Sequence, residues 1–277
     1  MLIGNKNCDK CGSSYDVARD TCPACNTPNE EKQNNKSLRS ILFLSPEKQL
    51  ILLLIGFGVL QLFGFLMSFV LEKLGMSDED VLFHFILNVS GYLLIAIAMS
   101  LVIFKDFKLF KTYLKRPWTY LFGFAGGIIL IMVTLTYSFC TNLMIPHSVN
   151  DNQSVANAMM IKFPISSILL IGIIGPICEE FTYRLGLYSF LRRINKYLAY
   201  AVTIVFFALI HINFFSSDIV SELISIPQYL FAGFTFCFLY EKWGISASVT
   251  AHVTNNLFSV IIIILQQLIL LVNGTSS

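Results

Sequence analysis

Residues 164–190 read PISSILLIGIIGPICEEFTYRLGLYSF, an apolar run long enough to cross a bilayer and interrupted past its centre by Glu179 and Glu180. The hydrocarbon core of a bilayer is about 30 Å thick, which a helix of roughly 20 mostly apolar residues spans. Carboxyl groups at that depth are costly, and they face a bundle interior or a water-filled cavity. Two adjacent ones resist a packing explanation. Gly172, Gly175 and Pro176, just before them, let the helix kink or approach a neighbour closely. This stretch makes the chain a membrane protein and marks where it works.

The rest of the chain agrees. Of 277 residues, 55% are hydrophobic and 13% charged, where a soluble domain carries about a quarter charged residues. Seven apolar segments, 49–71, 83–104, 118–144, 164–190, 197–214, 220–240 and 245–272, predict an all-α bundle of about seven transmembrane helices. They lack the alternation that a membrane β-barrel requires. All but three of the 19 Lys and Arg fall on the side of the N-terminus, the exceptions being Lys73, Lys162 and Arg184. By the positive-inside rule the N-terminus is cytoplasmic and the C-terminus outside. Residues 105–117 (KDFKLFKTYLKRP) alternate basic and apolar residues, as an interfacial segment does. Residues 148–157 (SVNDNQSVAN) read as a polar outer loop, and Pro227 lies in the sixth span, where a kink is tolerable if neighbours satisfy the freed carbonyl.

Residues 1–28 form a separate module, joined to the spans by a polar linker over 29–48. Cys8 and Cys11, then Cys22 and Cys25, make two CxxC pairs, the donor set of a structural zinc held by four thiolates. Gly12 and Asn26 follow the pairs, and both tolerate the left-handed backbone of such knuckles. Four cysteines leave no open coordination position, so catalysis at this metal is not expected. No basic or aromatic stripe accompanies the module, so no nucleic-acid partner is expected. A small docking or stabilising ribbon is the expectation.

Helix geometry separates the two acids. Glu180 and Arg184 are four apart on one face, with the acid N-terminal, the favourable orientation. Glu179 is turned by about 100° from Glu180 and is free to face a cavity. Two of the four histidines fall in later spans: His211, after Phe207, and His252, with Asn256 one turn on. These groups on three spans suggest one pocket. A carboxylate and an imidazole can hold a water, and the carboxylate takes its proton. A second imidazole and a carboxamide can donate to the oxyanion formed when water attacks a carbonyl. No Ser or Cys stands in a recognisable nucleophile motif.

At these residues the sequence resembles the CPBP family, the CAAX-prenyl-protease and bacteriocin-processing intramembrane endopeptidases, also called Abi proteins. The pattern EExxxR, FxxxH and HxxxN is met in order by Glu179-Glu180 with Arg184, Phe207 with His211, and His252 with Asn256. The resemblance spans about 115–272, leaving the ribbon and the first two spans (49–114) outside the motif-bearing core. It implies Glu179 as the catalytic glutamate, His211 as its partner in activating water, and His252 and Asn256 as the oxyanion site. Glu180, Arg184 and Phe207 would support that geometry. A metal-free glutamate mechanism is favoured, with a catalytic zinc as the alternative, since the chain has no HExxH. The substrate does not carry over; peptide processing or bacteriocin self-immunity in a bacterial plasma membrane is the expectation. Two readings compete with an enzyme: a membrane scaffold binding a partner protein, and a proton-coupled transporter. No internal repeat supports the latter.

Overall fold

Two CxxC knuckles build the N-terminal module. Strands β1 (Asn5–Asn7) and β2 (Ser14–Asp16) pair antiparallel around the first. There Gly12 N–H donates to Cys8 O at 2.8 Å and Cys8 N–H to Ser13 O at 3.0 Å. The second repeats it, with Asn26 N–H to Cys22 O at 2.8 Å and Cys22 N–H to Thr27 O at 2.9 Å. Gly12 and Asn26 take the left-handed backbone expected of them, at φ 71° and 56°. Described in this computed structural model are residues 5–16, 19, 21–29, 41–146 and 148–273. Most of the expected tether (30–40), His147 and the last four residues lie outside them.

Nine helices follow among the described residues. They are α1 (Pro46–Lys73), α2 (Val81–Ile103), α3 (Phe107–Leu114), α4 (Pro117–Met144), α5 (Asp151–Lys162), α6 (Pro164–Arg192), α7 (Lys196–Leu209), α8 (Ile219–Trp243) and α9 (Ile245–Val272). Six stretches, with α2 and α3 counted together, are long and apolar enough to cross a membrane. Large side chains such as Phe65, Leu101, Trp118 and Met132 are exposed along them, as lipid-facing surfaces require. The chain is a multi-pass membrane protein.

Two expected boundaries differ, and both differences concern the cavity. The fifth apolar segment, read as 197–214, is helical only to Leu209. Its 14 residues make about 21 Å at 1.5 Å per residue. The helix stops because His211 and Ile212 turn back to the carbonyls of Ala208 and Leu209, while Asn213 N–H is taken by the Glu222 carboxylate at 2.9 Å. His211 therefore sits in a turn just beyond its helix. The outer loop read at 148–157 is largely the helix α5. Its start is fixed by Asn150 Oδ1, which accepts from Gln153 N–H at 3.0 Å, and by Glu222 Oε1, which accepts from Asp151 N–H at 2.8 Å. Glu222 is fully buried, so interior acids extend beyond the adjacent pair.

Close approach of backbones holds α9 at the centre. A Cβ on Gly123 of α4 would stand 2.5 Å from Ala247 O, and one on Gly172 of α6 would stand 2.5 Å from Leu257 Cδ2. Small residues at such crossings let dispersion act across the interface. At the other end, Ile41, Leu42 and Leu44 are buried, although they close a stretch read as polar linker. Arg193 donates to Leu44 O at 2.8 Å and to Gln49 Oε1 at 2.9 Å, fastening this segment beneath α6.

Candidate active site

The α6 backbone is widened twice into π-helical turns, at Leu170–Ile174 and Phe181–Tyr188, on either side of the two acids. Such bulges insert a residue into the α-helical register and recur at functional sites. The first has a local cause. Gly175 N–H bonds five residues back, to Leu170 O; in that register Ile171 O looks to position 176, a proline without an N–H. Asn256 Nδ2 of α9 supplies the missing donor at 3.1 Å. Pro176 thereby ties α6 to α9 immediately before the acids.

Glu180 points into the protein and is fully buried. Its Oε1 pairs with Arg184 Nη1 at 3.0 Å and accepts from His252 Nδ1 at 2.9 Å. Its Oε2 accepts from Ser248 Oγ. The Arg184 guanidinium, also fully buried, lies 4.8 Å from the Phe207 ring and 5.1 Å from that of Phe236, where the ring faces favour a cation. Glu180 thus does more than the sequence suggested: besides pairing with Arg184, it orients His252. With Nδ1–H held by a carboxylate, the Nε2 of His252 is turned the other way.

Glu179 projects from the preceding position towards a cavity of about 370 Å³. Its Oε1 accepts from the Tyr92 hydroxyl of α2 at 3.1 Å. Its Oε2 is buried and has no hydrogen-bond partner. Two imidazole nitrogens stand beside that oxygen, His211 Nε2 and His252 Nε2, each at 3.8 Å. The rings are fixed by stacking: His211 on Tyr229 with centroids 4.5 Å apart, and His252 on Phe236 at 4.4 Å. His211 Nδ1 lies 2.7 Å from Phe207 O. A carbonyl only accepts, so Nδ1 carries a proton, and in the neutral ring Nε2 offers its lone pair towards Glu179.

All seven motif residues therefore meet around one site. Glu179, His211, His252 and Asn256 line the cavity, as does Phe207, while Glu180 and Arg184 lie behind it. Sequence reasoning missed four contributors. Tyr92 comes from α2, outside the motif-bearing core, and a tyrosine in an apolar run carries no signal of its own. Ser248 precedes His252 by one helical turn, a spacing that could have been noticed. Tyr229, under the His211 ring, and Asn150, whose Nδ2 donates to His211 O at 3.2 Å and to Tyr229 OH at 3.2 Å, are placed by tertiary contacts alone.

The cysteine cluster is a second, separate site. The four sulfurs lie within 4.8 Å of one another, with Cys8–Cys25 at 3.5 Å and Cys11–Cys22 at 3.6 Å. A tetrahedral zinc with Zn–S bonds of about 2.3 Å separates its sulfurs by about 3.8 Å, so the set fits one metal ion. The backbone N–H groups of Cys11 and Lys10 hold the Cys8 thiol below its ordinary value, whereas burial pushes Cys22 up to about 11. A bound cation offsets that burial by favouring the thiolate.

Residues 161–258 match the family model described as type II CAAX prenyl endopeptidase Rce1-like. The match takes in the helices that carry all three motifs and bears out the family resemblance read from them. It implies an intramembrane protease of the CAAX type. No curated protein and no solved structure matches the chain.

Proposed function

We propose that the chain is an intramembrane glutamic endopeptidase that hydrolyses a peptide bond with water held between Glu179 and His211. The observation that carries this reading is Glu179 Oε2, a buried oxygen without a partner, flanked by two imidazole nitrogens on a cavity wall. A buried acceptor left unsatisfied is costly; a water lying between Oε2 and His211 Nε2 satisfies both.

The chemistry follows from which atoms carry protons. The water donates one hydrogen to Glu179 Oε2 and the other to His211 Nε2, which leaves an oxygen lone pair for the substrate carbonyl carbon. As the C–O bond forms, Glu179 takes the first proton and the carbonyl oxygen becomes an oxyanion. To donate to that oxyanion through Nε2, His252 must carry a proton on each ring nitrogen, the one on Nδ1 being held by Glu180. Asn256 supplies the N–H left over from its bond to Ile171 O. Glu179 then returns its proton to the amide nitrogen, the C–N bond breaks, and an acid and an amine leave. No covalent enzyme intermediate is needed. Tyr92 holds Oε1, so that Oε2 is the oxygen presented to water.

The four cysteines hold a structural zinc in a cytoplasmic ribbon, and the spans at 49–114 brace the core at 115–272 by presenting Tyr92. Peptide processing, including self-immunity to a bacteriocin, is the physiological use that fits a bacterial plasma membrane.

Peptide cleavage by protein in lipid vesicles tests the reading. His211→Ala is expected to lose about 10²–10⁴-fold in rate, the contribution of a positioned acid–base group; a rate equal to wild type would refute the role. Tyr92→Phe is expected to lower kcat about tenfold, the value of a hydrogen bond to a charged group, with KM unchanged. A change confined to KM would place Tyr92 in substrate binding instead.

A further inference from the structure

His211 lies beyond the helix that brings it to the site. Glu179 is within α6, and His252 and Asn256 are within α9, so helical hydrogen bonds fix their backbone on both sides. Helix α7 closes at Leu209, and His211 N–H turns back to Ala208 O at 3.2 Å. A catalytic group misplaced by about 1 Å can cost about 10²-fold in rate. Contacts from outside α7 must therefore set where this imidazole stands.

Two helices supply them. Asn150, at the start of α5, donates through Nδ2 to His211 O and to the Tyr229 hydroxyl, each at 3.2 Å. Tyr229 of α8 stacks on the His211 ring with the planes 20° apart. Glu222, about two turns earlier on α8, joins the same parts. Its Oε2 accepts from Asn213 N–H, two residues past His211, at 2.9 Å, and its Oε1 from Asp151 N–H at 2.8 Å. Asn213 Nδ2 closes the circuit on Asp151 Oδ2 at 2.7 Å. Glu222 is fully buried, which is costly for a carboxyl group. Capping α5 does not demand it, since Asn150 Oδ1 already takes Gln153 N–H at 3.0 Å. Joining α5 to the turn does, because that needs two acceptors on one rigid group.

We infer that Glu222 is a positioning residue for His211, tying the turn after this histidine to α5, whose Gln153, Ala156 and Met159 line the cavity. The inference rests on the hydrolytic reading above, in which His211 Nε2 holds the water. Glu222 is not on the cavity wall and touches neither water nor substrate. It acts through the backbone, keeping the histidine and the α5 wall in one register.

The test is Glu222→Gln, which keeps the size of the side chain but turns an NH₂ towards one of the two N–H groups. With full-length protein in lipid vesicles, kcat for peptide cleavage is expected to fall about 10–10²-fold with KM little changed. The chain has four histidines, so ¹⁵N-histidine labelling gives few ring signals in NMR, and the His211 signal is identified by its loss in His211→Ala. Glu222→Gln is expected to shift or broaden it. A kcat equal to wild type, a change confined to KM, or a lower kcat with the His211 signal unmoved overturns the inference. Should that variant fail to fold, Asn213→Ala decides, because the Asn213 side chain is exposed and its loss removes the tie to Asp151 alone. It is expected to lower kcat about threefold or more, the value of a hydrogen bond, and to move the same signal; an unmoved kcat or signal overturns the inference. Glu179→Gln run alongside separates the two levels. Cleavage surviving in that variant, or no cleavage by wild type, removes the hydrolytic reading and this inference with it, whereas its loss there leaves that reading standing whatever Glu222 does.

Discussion

Glu179→Gln is expected to abolish peptide cleavage while leaving the protein folded. The substitution keeps size and shape, and the carboxamide oxygen still accepts the hydrogen bond that Tyr92 gives to Oε1. What changes is the other atom. Oε2, which has no partner in the protein, becomes an NH₂ that donates and cannot take a proton from water. Loss of a positioned general base costs about 10²–10⁴ in rate, and here the same group also returns the proton to the leaving amine. Cleavage rates in matched vesicles, with thermal unfolding of both proteins, give the result. A rate within a few-fold of wild type would remove Glu179 from the chemistry.

Arg184→Met is expected to have the largest effect on stability. Arg184 and Glu180 are fully exclusive of solvent, and removing one partner of a buried pair leaves a bare charge, at a cost of about 3–5 kcal/mol. His252 and Ser248 remain on Glu180 and moderate the loss without replacing the guanidinium. Packing falls too, because the guanidinium fills the space between Phe207 and Phe236. The double change Glu180→Gln with Arg184→Met should cost less than the two single changes added together, since contacting residues are not additive. Denaturant unfolding in detergent measures each. Strict additivity would mean that the pair does not act as a unit.

Much of the site was legible because membranes make polar residues conspicuous. Two acids in an apolar run, with an arginine one turn on, announce themselves. The i, i+4 rule correctly placed Glu180 on Arg184 and turned Glu179 away. It could not show that His252 lies between the two acids, with Nδ1 on Glu180 and Nε2 beside Glu179, because that follows from the α6–α9 crossing. Glu222 was overlooked for the opposite reason. It lies in the first turn of α8, where an acid reads as a solvated cap, yet its two oxygens hold the start of α5 and the turn after His211.

The fold was read at the level of apolar segments, and the errors fell where polar groups compete for the backbone. The segment at 197–214 looked continuous by hydropathy, but the turns at His211 and Ile212 end the helix early. The polar stretch at 148–157 lacks a helical apolar stripe; α5 forms because Asn150 and Glu222 satisfy its first N–H groups. The cysteine module was the most readable part. Two CxxC pairs, each followed by a residue at ease in the left-handed region, specify both the knuckle geometry and the donor set.

Whether Glu179 or a bound metal activates the water is tested most directly by cleavage in the presence of a strong chelator, using protein lacking residues 1–37 so that the cysteine module cannot contribute. A rate unchanged by chelation and by added zinc is expected of a carboxylate and one imidazole acting on water without a metal. A rate lost on chelation and restored by zinc would contradict it, and would make Glu179, His211 and His252 ligands of a catalytic metal.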